Sequence, residues 1–226
     1  MKTFKHAEGY VFDETNKVEA IGMGRYSTSD GEKYPSITRV LGATKDGSWL
    51  EDWRQSLGVE KADAESKRCA DRGTAIHLLA EQYLGNQVPE VDKVSIENAK
   101  LFNQIKFDLN RINNVVGLEK NLASKTLGVA GRSDCIAEFD GVLSIIDYKT
   151  SNRFKYRENI EDYFIQATFY ALAFNEMFDE TIEDIVIIMA IEKDTVPMVF
   201  KEKIDNFIKP LFHRVKEFKR KQNGKK

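Results

Sequence analysis

Cysteine, proline and histidine are scarce in this chain of 226 residues, which holds two cysteines, four prolines and three histidines. Two cysteines cannot ligate an iron–sulfur cluster or form a structural zinc site by themselves, and such sparse use fits a reducing compartment. The few prolines, together with the lack of a Ser/Gly-rich linker or an internal repeat, favour one continuous domain.

Long apolar runs and an excess of one charge are missing as well. No stretch approaches the roughly 20 apolar residues of a membrane-spanning helix, and residues 1–12 lack the pattern of a signal or transit peptide. The 34 basic and 36 acidic side chains leave a net charge of −2, which argues against a protein that coats nucleic acid with its whole surface. We therefore expect a cytoplasmic protein with no membrane partner.

The hydrophobic content, 42% of the chain, is sufficient for a sizeable core. Helical periodicity marks five segments, near residues 49–57, 61–84, 95–112, 160–178 and from 203 onward. Strand-like patterns mark four segments, at residues 115–124, 129–139, 142–148 and 185–191. This order predicts an α/β fold in which a mixed central β-sheet is flanked by helices.

The domain organisation follows from these segments. We predict a single domain over residues 1–226, with an N-terminal helical and hairpin elaboration (1–60), a core (61–200) and a C-terminal helix with a basic tail (201–226). The hairpin is predicted at residues 9–27. Residues 214–226 hold seven Lys or Arg and one acid, which is typical of a disordered end or of a segment that adds salt-dependent attraction to DNA.

Two carboxylates are brought together by the strand pair at residues 129–148. The Asp-Gly dipeptide between its apolar halves is a strong signal for a two-residue type I′ turn. The register of that turn places Asp134 directly opposite Asp147, with Cβ atoms about 5 Å apart. Lys149 points to the same face as Asp147 because side chains alternate along a strand.

Like charges opposite each other destabilise a sheet, so a compensating cation is expected beside Asp134 and Asp147. A divalent cation such as Mg²⁺ or Mn²⁺ would offset the two charges, lower the pKa of a bound water and polarise a phosphodiester. Lys149 could then orient or deprotonate the water, or neutralise charge on the phosphate. The hairpin alone is also consistent with an alternative to a metal site, namely a solvated sheet edge that carries ordinary surface charges.

Four short motifs occur in a fixed order along the chain. They are YPSITRVL at residues 34–41, RGTAIH at 72–77 with Glu81 after it, Asp134 followed by IDYKTS at 146–151, and QATFY at 166–170. In this order they resemble the PD-(D/E)XK nucleases of the RecB-like branch, and the first motif is similar to the N-terminal signature of mitochondrial and phage exonucleases. The resemblance implies a restriction-endonuclease-like αβββαβ core.

The resemblance also implies roles for individual residues. Asp134, Asp147 and Lys149 would be catalytic, and the two carboxylates would share a Mg²⁺ or Mn²⁺ ion with His77 and the backbone carbonyl of Tyr148. Imidazole suits Mn²⁺ better than Mg²⁺. A lone histidine on a helix is more often a surface or core residue, so only the surrounding motif favours the role of metal ligand.

Further polar side chains are candidates for DNA contacts or supporting roles. Gln166 and Tyr170 lie one helical turn apart, and in the family such a pair touches DNA or steadies the catalytic lysine. Their helix also carries an apolar stripe that is typical of a core helix. The other candidates, each with an alternative as a solvated or structural residue, are Glu81, Arg72, Ser124, Lys125, Arg132, Ser36 and Thr38.

The function implied by the resemblance is a metal-dependent exonuclease that hydrolyses phosphodiester bonds of single-stranded DNA or flaps, in DNA replication, recombination or repair. A bacterial or phage-infected cell and a helicase or single-strand-binding partner fit this expectation. The alternatives are a double-strand or structure-specific endonuclease, a catalytically silent DNA-binding module, and a phosphohydrolase acting on small substrates. Single strands need stacking aromatic rings, for which Tyr34, Trp49 and Trp53 are available.

Overall fold

A computed structural model describes residues 2–12 and 17–224, apart from the side chains of residues 49 and 50. Its strands are β1 (Val18–Gly22), β2 (Arg25–Thr28), β3 (Lys33–Pro35), β4 (Ile112–Ser124), β5 (Val129–Phe139), β6 (Val142–Ser151), β7 (Asp184–Ile191) and β8 (Met198–Lys203). Its helices are α1 (Ile37–Thr44), α2 (Ser48–Leu57), α3 (Val59–Leu84), α4 (Ile96–Leu109), α5 (Glu161–Phe178) and α6 (Asp205–Asn223). None of these helices is both long and apolar enough to cross a membrane.

The larger sheet has the strand order β4-β5-β6-β7-β8 and is mixed. Strands β6 and β7 are parallel, whereas the other neighbours are antiparallel. Parallel neighbours need a long crossover connection, and α5 supplies it. The predicted α/β fold with a mixed central sheet flanked by helices is confirmed.

Strand β7 shows why this sheet is covered on both faces. All of its residues except Asp184 are buried. The odd-numbered residues of 185–191 pack with α1, α5 and α6, and the even-numbered residues Val186, Ile188 and Ala190 pack with α3 and α4. Because side chains alternate along a strand, one apolar segment contributes to two cores. The sheet is therefore the middle one of three layers.

The N-terminal elaboration contains a small antiparallel sheet, β1-β2-β3. The β1–β2 hairpin overlaps the predicted segment 9–27 and extends one residue beyond it, to Thr28. Residues 13–16 of that segment lie outside the described residues. Strand β3 and helix α1 were not predicted. Helix α1 begins after Ser36, whose hydroxyl accepts a hydrogen bond from the N–H of Arg39 at 3.1 Å. The proposed division of a single domain at residues 60 and 200 stays a prediction.

The C-terminal part differs from expectation in two places. Residues 198–203 form the edge strand β8, so the last helix begins at Asp205. The basic segment, for which a disordered end was one of two expectations, is helical to Asn223 because α6 continues through it. Its attraction to DNA stays a prediction. Arg214 accounts for part of this order, because its guanidinium donates to Asp162 at 2.8 Å and to the carbonyl of Leu41 at 2.7 Å.

Gly131, near the start of β5, is the position at which Tyr170 of α5 approaches the sheet closely. A Cβ atom on this residue would lie 2.9 Å from Cε1 of Tyr170 and 3.1 Å from Cγ2 of Ile37. Both neighbours are buried, so they cannot move aside without disturbing the core. We expect Gly131→Ala to lower the free energy of unfolding by about 1–3 kcal/mol, as measured by urea denaturation.

Gly42→Ala is the matched control for Gly131→Ala. Gly42 lies inside α1, and among the described residues no atom outside the helix's own backbone would lie within 4 Å of an added Cβ. Alanine is favoured over glycine inside a helix by up to about 1 kcal/mol, so this variant should be unchanged or more stable. Equal stabilities of the two variants would contradict the close packing at Gly131.

Candidate active site

The second half of β6 carries a buried acid and a lysine on one face. Asp147 is 0% exposed, and Nζ of Lys149 lies 2.5 Å from its Oδ2. This contact is an ion pair between a buried carboxylate and a lysine. Among the described residues, Oδ1 of Asp147 has no hydrogen-bond partner. Nζ of Lys149 also lies 5.1 Å from the ring centre of Tyr163 in α5.

The Asp-Gly turn between β5 and β6 produces the predicted register over five residue pairs, the last of which joins Cys135 to Ile146. Both turn residues have positive φ, 51° and 83°, as a type I′ turn requires. The next pair, Asp134 with Asp147, does not form. Instead, Oδ2 of Asp134 accepts a hydrogen bond from the N–H of Tyr148 at 2.9 Å. The expected direct pairing of Asp134 with Asp147 is wrong, because the backbone N–H of Tyr148 donates its hydrogen bond to the Asp134 side chain and not to the backbone of β5.

His77 reaches the same place from helix α3. Its Nε2 lies 2.9 Å from the carbonyl oxygen of Tyr148. A carbonyl only accepts, so this nitrogen carries the proton and donates it. The other nitrogen, Nδ1, lies 3.4 Å from Oδ1 of Asp134 and 3.7 Å from Oε1 of Glu119. In the neutral ring Nδ1 is the atom that can ligate a metal, while the expected ligand carbonyl of Tyr148 is engaged by His77.

Glu119 is a candidate ligand that the sequence reasoning did not assign. It lies in β4 with a positive φ of 51°, and Nε of Arg132 lies 2.8 Å from its Oε2. Positive φ is unusual for glutamate, and such strain is concentrated at functional sites. The pairing of β4 with β5 shifts by two residues between Asn113 and Gly117. This irregularity moves the position opposite Asp134 from Gly117 to Glu119.

The electrostatics of these groups are tightly linked. Burial alone would lower the pKa of His77, but the carboxylates of Asp134 and Glu119 close to Nδ1 outweigh burial and raise it to about 10. Burial would raise the pKa of Asp134, yet the neighbouring His77 and its positive charge keep it below its usual value. Burial raises the pKa of Asp147 to about 6 against the effect of Lys149.

Lys149 completes this set of charges. Burial would lower its pKa, but the charges of Asp147 and Asp134 outweigh burial and raise it. His77 and Lys149 are therefore the cations that balance the buried acids. Lys149 lies in the sheet itself, on β6, whereas His77 reaches the site from helix α3.

The donor set fits a divalent cation. One ligand atom each from His77, Glu119 and Asp134 lies within 4.8 Å of the others. Asp147 is not one of these three residues, and its Oδ2 is already paired with Nζ of Lys149. Its buried Oδ1 has no hydrogen-bond partner in the described part of the chain, which is a costly arrangement that a bound cation would relieve. Carboxylate oxygens with one imidazole suit Mg²⁺ or Mn²⁺.

A cavity of about 410 Å³ opens onto this site. Its walls include His77, Glu119, Glu81 and Arg132. Glu81 lies one turn after His77, and burial followed by the charge of Glu119 raises its pKa. Arg132 is largely exposed and pairs with Glu119, so it lies at the rim of the cavity. The expected DNA contact of Arg132 and supporting role of Glu81 stay predictions.

Arg72, expected to contact phosphate, is engaged within the protein. It is 5% exposed, and its guanidinium donates to Thr150 at 3.1 Å, Asn152 at 2.6 Å and Glu192 at 2.7 Å. These partners lie at the ends of β6 and β7. The arrangement indicates that Arg72 steadies the end of the strand carrying Lys149, and it does not favour a phosphate contact.

The expected hydroxyl and lysine contacts are also occupied by protein groups. Ser124 donates to Glu176 at 2.6 Å, and Lys125 pairs with Asp30 at 2.6 Å. Ser36 caps α1, and the Thr38 hydroxyl lies 3.0 Å from the Ser36 hydroxyl. These contacts explain the local turns, and contacts of the four residues with DNA stay predictions. The side chain of Trp49 lies outside the described part.

Gln166 and Tyr170 interact with each other in α5. Nε2 of Gln166 donates to the hydroxyl of Tyr170 at 3.0 Å, and Tyr170 is buried over Gly131. The aromatic neighbour of Lys149 is Tyr163, which the sequence reasoning missed. The sequence feature that could have identified Tyr163 is its position three residues before Gln166, which puts both side chains on the same face of the helix.

The class of protein follows from a family comparison. The family described as the PD-(D/E)XK nuclease superfamily matches residues 92–208, which include Glu119, Asp134, Asp147 and Lys149. The chain belongs to this superfamily of nucleases.

Two curated proteins are similar to part of the chain. Mitochondrial genome maintenance exonuclease 1 of Homo sapiens is 31% identical over 144 residues, and that of Mus musculus is 29% identical over 126 residues. The matches cover 60% and 53% of this chain but only 40% and 37% of the relatives, so the chain spans about two fifths of their length.

Among solved structures, a crystal structure of a candidate exonuclease from Eubacterium rectale is similar to this chain. The TM-score is 0.44 and the identity 14%, over 68% of each chain.

The raised pKa of Asp147 makes the stability of the metal-free protein pH-dependent. As the pH rises from 3.8 to about 6, this carboxyl ionises more readily in the unfolded chain than in the folded one, so stability is lost. We expect wild type to lose about 3 kcal/mol relative to Asp147→Asn between pH 3.5 and 7, as measured by urea denaturation in EDTA.

Asp140→Asn is the control for this pH series. Arg111 first, and then Lys201, lower the pKa of Asp140 in the folded protein, and in the unfolded chain this carboxyl is almost fully ionised by about pH 5. From about pH 5 to pH 7 this variant should therefore keep a constant offset from wild type. A constant offset for Asp147→Asn as well would show that Asp147 does not titrate as a buried acid.

Proposed function

We propose that this protein is a metal-dependent DNA exonuclease that hydrolyses phosphodiester bonds in single-stranded DNA or flaps. The observation that carries the proposal is the convergence of His77, Glu119 and Asp134 on the buried pair of Asp147 and Lys149. Membership of the nuclease superfamily and the similarity to mitochondrial exonucleases support it. The preference for single strands rests on the resemblance of the N-terminal motif at residues 34–41.

Each polar group has a proposed role. A divalent ion held by Asp134, Asp147, Glu119 and Nδ1 of His77 would polarise the scissile phosphate and lower the pKa of the attacking water. The raised pKa of Lys149 keeps it protonated, so it donates hydrogen bonds to the water or to the phosphate as negative charge develops.

The biological setting is part of the proposal. DNA replication, recombination or repair would supply single strands and flaps, and a helicase or single-strand-binding protein would deliver them. We place this activity in the cytoplasm of a bacterial or phage-infected cell.

The test uses circular single strands, linear single strands and a linear duplex, each with Mg²⁺, Mn²⁺ or EDTA. We expect linear single strands to be degraded only with a metal ion, and circles to stay intact. Lys149→Ala should lower the rate by at least about 100-fold, because a positioned charged donor commonly contributes that much.

Four other outcomes have defined meanings. Cleavage of circles would indicate an endonuclease, and preferred cleavage of the duplex would overturn the single-strand preference. The absence of cleavage of every substrate would favour a DNA-binding module. Wild-type turnover by Lys149→Ala would remove this lysine from the mechanism.

Tyr163 is proposed to position Lys149 through its ring. Cation–π contacts contribute about 0.5–2 kcal/mol, so Tyr163→Ala should lower kcat roughly 2- to 30-fold. Loss of the ring also destabilises the protonated lysine, so the alkaline limb of the pH–rate profile should move to lower pH.

Tyr163→Phe is the matched variant because it keeps the ring and removes only the hydroxyl. It should retain the wild-type kcat and pH profile. A loss in Tyr163→Phe equal to that in Tyr163→Ala would assign the effect to the hydroxyl, and an unchanged profile in Tyr163→Ala would remove the positioning role.

A further inference from the structure

The loop that leaves the active-site strand alternates cations and aromatic rings. Strand β6 ends at Ser151, and the following residues are Asn152, Arg153, Phe154, Lys155 and Tyr156. A short 3₁₀ helix, Arg157–Ile160, then leads into α5. We call residues 153–156 the aromatic-basic loop.

Both rings of this loop are exposed. Phe154 is 55% and Tyr156 67% accessible to solvent. The ring centres are 5.2 Å apart and the planes are inclined at 77°, an edge-to-face pair. Large aromatic side chains usually bury most of their surface, so a preorganised exposed pair is an unusual feature of a surface.

The cations of the loop are available to a ligand. In the described part of the chain, no carboxylate lies within ion-pair distance of Arg153 or Lys155, although most other cations around the site are paired. The next cation, Arg157, shows the contrast: it pairs with Glu202, and its guanidinium lies 5.6 Å from the ring centre of Phe164. Arg157 therefore has a structural role, whereas the loop's two cations face solvent.

Unpaired cations around exposed rings are complementary to a polyanion with flat apolar faces, and single-stranded DNA has both properties. Bases of a single strand stack on aromatic side chains, whereas those of a duplex are already stacked on each other. Phe154 follows Lys149 by five residues, so the two Cα atoms are at most about 18 Å apart. A strand bound at the loop is thus within reach of the cleavage site.

We propose that the aromatic-basic loop is a base-stacking site for single-stranded DNA, in which Phe154 and Tyr156 stack on bases and Arg153 and Lys155 contact phosphates. This inference rests on the proposed function and extends it, because it names a surface that selects single strands over duplex. The loop holds the strand next to the site without taking part in the chemistry.

The test compares two fluorescent strands of equal length and charge, an oligothymidylate and an abasic strand that has the same phosphates but no bases. Binding is measured by anisotropy in EDTA, so that no strand is cut. We expect wild type to bind the oligothymidylate more tightly. Phe154→Ala and Tyr156→Ala should each weaken that binding roughly 5- to 150-fold and leave abasic binding unchanged.

Three further variants separate stacking from other effects. Phe154→Trp keeps a π face and should bind the oligothymidylate at least as well as wild type, whereas Phe154→Leu keeps only apolar surface and should resemble alanine. Phe107→Ala removes a ring that is 77% exposed on α4 and should not change binding. Thermal melting of each variant checks that the fold is retained.

The outcomes distinguish this inference from the proposed function. Wild-type binding by the Phe154→Ala/Tyr156→Ala double variant, or an equal loss on the abasic strand, would overturn the stacking site even if the enzyme cuts DNA. Wild-type behaviour of Phe154→Leu would assign the loop to apolar docking and also overturn it. Absence of nuclease activity would contradict the proposed function alone, because binding is measured without cleavage.

Discussion

The burial of two carboxylates at one point in the sheet is the constraint on which the site depends. Asp134 and Asp147 lie where desolvation and mutual repulsion both oppose ionisation. The fold offsets this cost with Lys149 from β6, with His77 from α3 and with a backbone N–H donated to Asp134. A divalent cation would replace this balance by direct ligation. The groups that offset the buried negative charges in the metal-free protein are thus the same groups that hold the carboxylates in place for a metal ion.

The central sheet gives these groups a rigid support. Strand β6 has β5 on one side and β7 on the other, and both faces are covered by helices. Arg72 fixes the end of the strand through Thr150 and Asn152, which follow Lys149 closely in the chain. Precise placement of charged groups requires this kind of support. The aromatic-basic loop follows β6 closely in the chain. The proposed binding site for single-stranded DNA therefore lies near the proposed cleavage site.

Long elements with a clear hydrophobic period were predictable, whereas strands β3 and β8 and helix α1 were not. Helices α3, α4 and α5 and strands β4 to β7 follow patterns that burial imposes on the sequence. Helix α1 has only eight residues, and strand β8 lies at the edge of the sheet with no buried residue, so neither shows a strong period. The buried position of Arg72 was also unpredictable, because its partners come from distant parts of the chain.

The sequence alone defined those parts of the site that depend on residues close together in the chain. The Asp-Gly turn sets the pairing of β5 with β6, and alternation along β6 puts Lys149 beside Asp147; both depend on neighbours in the chain. Only the tertiary structure decided that Glu119 joins the site, because a two-residue irregularity in β4 shifts it opposite Asp134. It also decided which nitrogen of His77 faces the acids. Such placements depend on the packing of distant segments, which no local pattern encodes.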